Sequence, residues 1–133
     1  MSQTVTIDIP SASWLTSNDR PHWAVKAKRV AAIRKLAGFA TLARIRSGNL
    51  TPMQHADLTV HVYYPANRGQ DAQNAADAAK GAIDGVVDGG LLPNDDNAHL
   101  ISTKYTLGGY TGKPGWYRLR LEFTPTTNPK EIA

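Results

Sequence analysis

Acidic residues are concentrated in one segment of the chain, where they could hold a metal ion. Six of the eleven Asp and Glu residues lie between Asp71 and Asp96, with Lys80 as the one basic residue among them. Mg²⁺ prefers carboxylate oxygens and retains several waters, so one to three carboxylates can form a site. Such an ion can activate water and neutralise the charge of a phosphodiester. Asp71, Asp95 and Asp96 are therefore candidate metal ligands.

The same acids also have a purely structural interpretation. Asp71 can cap a helix with Asn74 at its third position, and the stretch PNDDN, which contains Asp95 and Asp96, is typical of a turn. A helix of about 17 residues between them would be about 25 Å long. Asp71 therefore meets the two turn acids only if the next strand returns toward the helix start, or if a second chain contributes.

Lys80 lies one helical turn before Asp84, so the two side chains share a face of the predicted helix. Beside a carboxylate–metal site, the Lys80 ammonium could stabilise phosphate charge or protonate a leaving oxygen. As an ordinary surface residue it would pair with Asp77 and Asp84, a contribution of a few tenths of a kcal/mol. Spacing alone leaves both roles open.

A second segment is strongly basic. Eight of the fifteen Lys and Arg residues lie between Arg20 and Arg46, with no acid among them, and the net charge is +4. Lys26, Arg29 and Arg44 could bind phosphates along a strand. Such binding releases counterions from the nucleic acid and therefore weakens as the salt concentration rises. A solvated helix face is the alternative, although most surface helices mix charge signs. The pattern favours contact with nucleic acid.

Other kinds of chemistry receive little support. The chain has no Cys, which excludes disulfides and thiolate metal sites, and its four His residues show no metal-ligand spacing. There is no phosphate-binding glycine loop and no plausible Ser/His/Asp set. No apolar run approaches the ~20 residues of a membrane span, and the N-terminus lacks the features of a secretory signal. A cytoplasmic protein is expected.

The elements that must position these residues follow the order β-α-β-α-β-β. Alternation and helical periodicity predict an α/β (α+β) fold, with a small mixed sheet packed against two main helices. Residues 1–133 form one domain, with a flexible tail from about residue 125 and a loose hairpin at 108–115. The predicted strands are 4–9, 56–64, 99–107 and 116–123, and the predicted helices are 22–46 and 72–88.

The ends of the first helix carry their own signals. Asn18 or Asp19 can serve as its N-cap, with Pro21 in its first turn. Gly38 can bend or break the helix, and Gly48 is suited to end it. The three Trp residues are expected to pack in the core or at its rim rather than to stack on bases.

Two stretches together resemble a known family. The pattern D-x-x-N from Asp71 to Asn74, followed by K-x-A-I-D-G-V-V-D-G-G-L-L-P-x-D-D from Lys80 to Asp96, resembles the RusA family of Holliday junction endonucleases. The likeness is greatest to the actinobacterial and phage branch. The upstream LTSNDRPHW, followed by a basic helix, is similar to that branch's N-terminal segment, so the resemblance covers roughly 9–107.

The resemblance implies a homodimer that binds a four-way DNA junction and cuts two opposed strands symmetrically, in a bacterial or phage-infected cell. It implies Mg²⁺, with Mn²⁺ as a substitute, held by clustered Asp residues. Counted back from Leu100, Asn97 would instead take the place of one family Asp. The residues that the resemblance implies for catalysis are Asp71, Lys80, Asp95 and Asp96. The implied metal ligands are Asp71, Asp95 and Asp96, with Asp84 as a further candidate. The motif is completed by Gln73, Asn74 and Asp84. The implied DNA contacts are Arg20, Lys26, Arg29 and Arg68.

Two departures from the family pattern open alternatives. Gln73 stands where the enterobacterial motif has a second Asp, and an amide oxygen brings no charge to a metal. Only Arg68 precedes the motif, where the family often has a basic cluster. A catalytically weak or inactive protein that binds junctions or duplex DNA is therefore a second hypothesis. A structural or assembly protein with a patterned surface is a third.

Overall fold

The predicted fold class is confirmed by the arrangement of strands and helices. The computed structural model describes residues 1–16, 22–67 and 70–131. It contains one four-stranded mixed sheet and two helices that pack together around a common core. The elements are β1 (Gln3–Pro10), α1 (Trp23–Arg46), β2 (Ala56–Tyr64), α2 (Ala76–Asp88), β3 (Leu100–Tyr110) and β4 (Trp116–Pro125), with short 3₁₀ helices at Ser11–Ser13, Ala72–Ala75 and Pro129–Glu131.

The strand order is β1-β4-β2-β3, with β2 and β3 parallel and β4 antiparallel to both of its neighbours. The predicted hairpin at 108–115 is therefore wrong, because β4 crosses to the space between β1 and β2. The inward side chains of β4 (Leu119, Leu121 and Phe123) are fully buried, and both of its edges are paired. Most of β3 is exposed, as suits a strand at the edge of the sheet.

The strand β2 and the helix α2 each contribute a buried face to the core. Strict alternation along β2 buries Leu58, Val60, Val62 and Tyr64. The apolar side of α2 is also buried. Its buried residues include Ala78, Ala79, Ala82, Ile83 and Val86.

The helix α1 is continuous through Gly38, where the sequence permits a bend or break. It begins at Trp23, one residue after the predicted start. Its N-cap is His22, whose Nδ1 accepts a 3.2 Å hydrogen bond from the Ala24 amide. The predicted caps Asn18 and Asp19, with Pro21, lie outside the described residues. Trp23 is 77% exposed, so the expectation that it packs in the core or at its rim is wrong. Only the middle of α1 buries side chains, at Ile33, Ala37 and Thr41.

Small residues allow α1 and α2 to approach closely. A methyl group on Gly85 would lie 2.8 Å from the Ala37 Cβ, and one on Gly89 would lie 2.7 Å from the Thr41 Cβ. Both separations are well inside normal carbon–carbon contact. The two helices are therefore in backbone contact along these positions, with no space for a side chain between them.

The segment after β4 makes contacts that a flexible tail would not make. The Thr126 amide donates a 3.1 Å hydrogen bond to the His55 carbonyl. Asn128 is nearly buried, and its Nδ2 donates to the Ala98 carbonyl at 3.3 Å. These bonds attach the segment to the beginnings of β2 and β3. None of the helices within the described ranges combines the length and apolarity required to cross a bilayer.

Candidate active site

Lys80 and two carboxylates form a compact charged cluster on the polar side of α2. The Lys80 Nζ contacts Asp84 Oδ1 at 3.1 Å and also bonds Asp95 Oδ2. Asp84 lies one turn further along α2, whereas Asp95 comes from the turn that precedes β3. The side chains of Asp84 and Asp95 are each 25% exposed, while that of Lys80 is 61% exposed. One ammonium thus holds two carboxylates together at the surface.

Contact within the cluster shifts the pKa values of Lys80 and Asp95 in opposite directions. The hydrogen bond to Asp95 raises the pKa of the Lys80 ammonium above its ordinary value. The same bond lowers the pKa of the Asp95 carboxyl below its ordinary value. Both shifts favour the charged forms. Lys80 therefore remains a cation throughout the neutral range and is suited to stabilise negative charge rather than to release a proton.

Asp95 reaches Lys80 because the preceding chain is anchored. Leu91 and Leu92 are buried directly after α2. The Leu91 carbonyl accepts a 2.8 Å hydrogen bond from the Met53 amide, which joins the segment to the loop before β2. The Asp95 amide donates to Asn94 Oδ1 at 2.8 Å. These contacts return the chain toward Lys80 in the middle of α2, whereas the metal hypothesis requires a return toward Asp71 at the helix start.

Asp96, in contrast, is engaged in the turn itself. Its Oδ2 accepts from Asn94 Nδ2 at 3.2 Å, and its Oδ1 accepts from the Ala98 amide at 3.1 Å. The Asp96 carbonyl accepts from the His99 and Leu100 amides at 3.0 and 2.8 Å. Both carboxylate oxygens therefore stabilise the turn that leads into β3, which corresponds to the structural interpretation of this acid.

Asp71 lies at the start of the 3₁₀ helix Ala72–Ala75, and its exposed carboxylate makes no hydrogen bond or ion pair with the described residues. It occupies the N-cap position, yet its side chain makes no capping hydrogen bond. Its backbone is held instead, because the Asp71 carbonyl accepts a 2.8 Å bond from the Tyr64 phenol and a 3.1 Å bond from the Asn74 amide. The carboxylate of Asp71 is thus presented to solvent from a fixed backbone.

The residues between Asp71 and α2 show a similar openness. Gln73 is exposed, and Asn74 is half-buried. Within the described residues, neither amide side chain makes a hydrogen bond. The position where the family pattern has its second Asp therefore has space for a carboxylate without loss of an existing contact.

The fold brings two carboxylates, rather than three, to one point among the described residues. Across residues 1–16, 22–67 and 70–131, no three His, Asp or Glu side chains are grouped to hold one metal ion, so Asp71, Asp95 and Asp96 are not gathered into a single set. Asp84 and Asp95, however, already converge on one cation, the Lys80 ammonium. Mg²⁺ needs only one or two carboxylates when waters complete its shell. The oxygen donors of Asp84 and Asp95 fit that requirement.

The predicted DNA contacts are distributed unevenly in the structure. Arg20 and Arg68 lie outside the described residues. Lys26 is half exposed and lies 3.7 Å from Asp77 of α2, while Arg29 donates to the Trp14 carbonyl at 3.3 Å. Arg44 bonds the Thr4 carbonyl and therefore attaches α1 to β1. Of these cations, Lys26 is the most available to a phosphate.

Sequence reasoning missed three relationships that position the cluster. Arg34 of α1 forms two hydrogen bonds with Asp88, at 2.6 and 2.9 Å, although Asp88 resembled ordinary solvated surface in the sequence. The glycine contacts between the helices and the bond from Tyr64 to Asp71 were also missed. The four-residue spacing of Gly81, Gly85 and Gly89 was the available signal for the helix contact. No local pattern indicates the other two.

Comparison with known proteins adds no assignment to this geometry. No protein-family model matches the chain, and no curated protein matches it.

Proposed function

We propose that this protein is a Mg²⁺-dependent DNA endonuclease that acts on four-way junctions as a homodimer and cuts two opposed strands symmetrically. The observation that carries the proposal is the convergence of Lys80, Asp84 and Asp95, which the family resemblance matches to motif residues, at one partly exposed point. Asp71, the first motif acid, adds an uncommitted carboxylate from a fixed backbone. Two-fold symmetry in protein and junction accounts for paired cuts.

Each side chain has a distinct part in this proposal. Asp84 and Asp95 would hold the ion. Asp71 is not grouped with them among the described residues of one chain, so its carboxylate would reach the same ion from the second chain of the homodimer. When bound, Mg²⁺ would supply charge neutralisation and an activated water. Lys80, released from Asp84 and Asp95 as they take the ion, would donate to a non-bridging oxygen of the scissile phosphate, where negative charge increases in the transition state. Asp96 keeps the turn of Asp95 in place.

The basic helix supplies affinity for the DNA backbone. Lys26 lies on α1, which packs directly against the helix that carries Lys80. Contacts of this kind are sequence-independent and depend on salt. The expected setting is the cytoplasm of a bacterium or of a phage-infected cell.

The deciding experiment uses a synthetic four-way junction with each strand labelled in turn. The wild-type protein should nick opposed strands in Mg²⁺ or Mn²⁺ and only bind the junction in EDTA. Asp71→Asn should bind equally well but lose cutting by at least about 100-fold, as is typical when a charged group at a reacting centre is removed. Asp88→Asn is the matched control, because it neutralises an acid on α2 that is paired with Arg34 instead. Cutting by Asp71→Asn at the wild-type rate would contradict the assignment of the site.

One observation favours a second candidate function, that of a junction- or duplex-binding protein without catalysis. Gln73 brings no charge where the family pattern has an acid, and the described residues contain no three-carboxylate group. Tight junction binding in EDTA, with no cutting after either ion is added, would select this candidate. Binding that is negligible and insensitive to salt would favour a structural or assembly protein.

A further inference from the structure

A cavity beside Asp71 takes no part in the charged cluster. It has a volume of about 830 Å³ and lies where β2 ends, between the 3₁₀ helix that follows β1 and the link from β3 to β4. Its walls include Ser11, Asn67, Gln70, Tyr110 and Tyr117. The volume is within the range of pockets that enclose small organic groups. The cavity therefore has the size of a binding site and needs an occupant of matching chemistry.

The walls are held in place before anything binds. The Ser11 amide donates to the Gly115 carbonyl at 2.8 Å, and the Thr111 amide donates to the Tyr64 carbonyl at 2.8 Å. Thr111 Oγ1 also donates to the Trp116 carbonyl at 2.9 Å. Gly115 has a φ of 80°, a conformation that favours glycine. The link from β3 to β4 is thus fixed to both β1 and β2 around the cavity.

The aromatic wall is equally well supported. Tyr117 stacks on the buried Trp14 ring with centroids 4.3 Å apart and planes 7° apart. Tyr110 is 41% exposed. Its phenol makes no hydrogen bond within the described part of the chain. The lining therefore contains one solvent-accessible ring, that of Tyr110, and a second ring that is held rigidly by stacking.

The described polar side chains of the lining can hydrogen-bond a neutral group. None of them carries a charge. Asn67 offers an amide with no hydrogen-bond partner among the described residues, and Ser11 offers a hydroxyl. A carboxamide beside a flat ring is the combination that binds nucleobases, through edge hydrogen bonds and stacking.

The cavity is directly connected to the proposed site. Gln70 lines the cavity and immediately precedes Asp71. Tyr64 joins the two places, since its carbonyl accepts from the Thr111 amide, in the link from β3 to β4, while its phenol donates to the Asp71 carbonyl. The cavity is therefore adjacent in the chain to Asp71 and shares its backbone support.

We propose that this cavity holds one unpaired base of the DNA substrate, stacked on Tyr110 and hydrogen-bonded by Asn67. The inference rests on the proposed function, because it takes DNA as the substrate. It adds to that function a source of selectivity, since the strand would be cut next to a base that can leave the stack. Extrusion costs least for a base whose pairing or stacking is already disturbed, and the branch point of a junction interrupts the stacking of its bases.

The test is a scan of binding in EDTA with the same synthetic junction. Bases at and around the branch are replaced one at a time by an abasic residue. At one position, this change should weaken wild-type binding by about 5- to 100-fold, the range that loss of one stacked base gives. Tyr110→Ala should weaken binding of the intact junction by a similar factor. The abasic replacement should then cause no further loss of affinity for this variant. Tyr110→Phe, which keeps the ring, should retain affinity.

Controls separate this inference from the function on which it rests. Phe39→Ala removes another exposed aromatic ring, which is 65% exposed on α1, and should not reproduce the effect. Asn67→Ala, on an exposed amide, provides a second variant if Tyr110→Ala unfolds. An abasic scan with no sensitive position, or one identical in wild type and both cavity variants, would overturn the inference while Mg²⁺-dependent cutting leaves the nuclease proposal standing. Failure of the wild type to bind any junction would overturn both.

Discussion

Lys80 and Asp95 form an ion pair that joins the middle of α2 to the turn before β3. Asp84 completes the contact from the next turn of the same helix. The pair links two segments of the acidic stretch that would otherwise be independent surface. It therefore places Asp95, alone of the two turn acids, at the candidate site.

Replacing Asp95 by Asn should lower the free energy of unfolding at pH 7 by up to about 1 kcal/mol, because partly exposed ion pairs contribute little. The pKa of Asp95 is lowered in the folded state, so its contribution is complete above the unfolded value of about 3.9 and is lost as pH falls through the folded value. Urea unfolding at a series of pH values should show the difference from wild type vanish in acid. Lys80→Gln should give a similar loss that is not additive with it, and a pH-independent difference would contradict the assignment.

Tyr64→Phe should remove the hydrogen bond that holds the Asp71 backbone and cost about 1 kcal/mol of stability. Burial raises the pKa of Tyr64 to about 12, whereas the unfolded side chain titrates near 10. Between these values the unfolded state has released a proton that the folded state retains, so wild-type stability falls as pH rises. Urea unfolding from pH 8 to pH 11 should show a shallower fall in the variant. Parallel curves would show that Tyr64 is not the group responsible.

Gln73→Asp should strengthen metal binding by placing a second carboxylate two residues after Asp71. The side chain is exposed, so the fold should tolerate the change. Affinity for divalent ions follows the number of charged ligands, and a gain on the order of tenfold is expected. A titration of junction cutting against Mg²⁺ should shift its midpoint to lower concentration, while Gln73→Asn should not. Cutting by Gln73→Asp alone would identify the natural chain as the inactive binding protein, and an unchanged midpoint would remove this position from the metal site.

Gly85→Ala should destabilise the protein by about 1–3 kcal/mol, because the new methyl group would lie 2.8 Å from the Ala37 Cβ and close to the Arg34 carbonyl. Gly38→Ala is the matched control, since its nearest neighbour would be the Gly85 carbonyl at 3.4 Å. That variant should gain up to about 1 kcal/mol from helix propensity. Urea unfolding of the two variants decides between opposite signs. Equal behaviour would show that the helices can separate without cost.

Local patterns in the sequence predicted most elements because they depend on periodicity that neighbouring residues share. The bounds of β2 were predicted without error. The strand order was not predictable in this way, because the position of β4 depends on which partner buries Leu119, Leu121 and Phe123. The exposure of Trp23 likewise depends on where α1 leaves its neighbours, which no helical pattern records.

The contacts of the candidate site can also be separated into one that local spacing predicts and others that depend on the folded chain. The contact between Lys80 and Asp84 follows from four-residue spacing within one helix. Asp95 and Asp96 have different partners because of the path of the turn. The Asp95 carboxylate accepts from Lys80, whereas the Asp96 carboxylate accepts from Asn94 and Ala98. Adjacent residues of the same type cannot be distinguished by composition or spacing. Only the hydrogen bonds of the folded turn separate them.

The backbone contact between α1 and α2 has a consequence for where a strand could be cut. Because no side chain separates the helices at Gly85 and Gly89, the offset between Lys26 and Lys80 cannot be adjusted by rotamer changes at the contact. In the proposed nuclease, a phosphate bound at Lys26 and one bound at Lys80 would then be separated by a distance that the two helix backbones set. The distance from a protected phosphate to the nick should accordingly be the same on every junction.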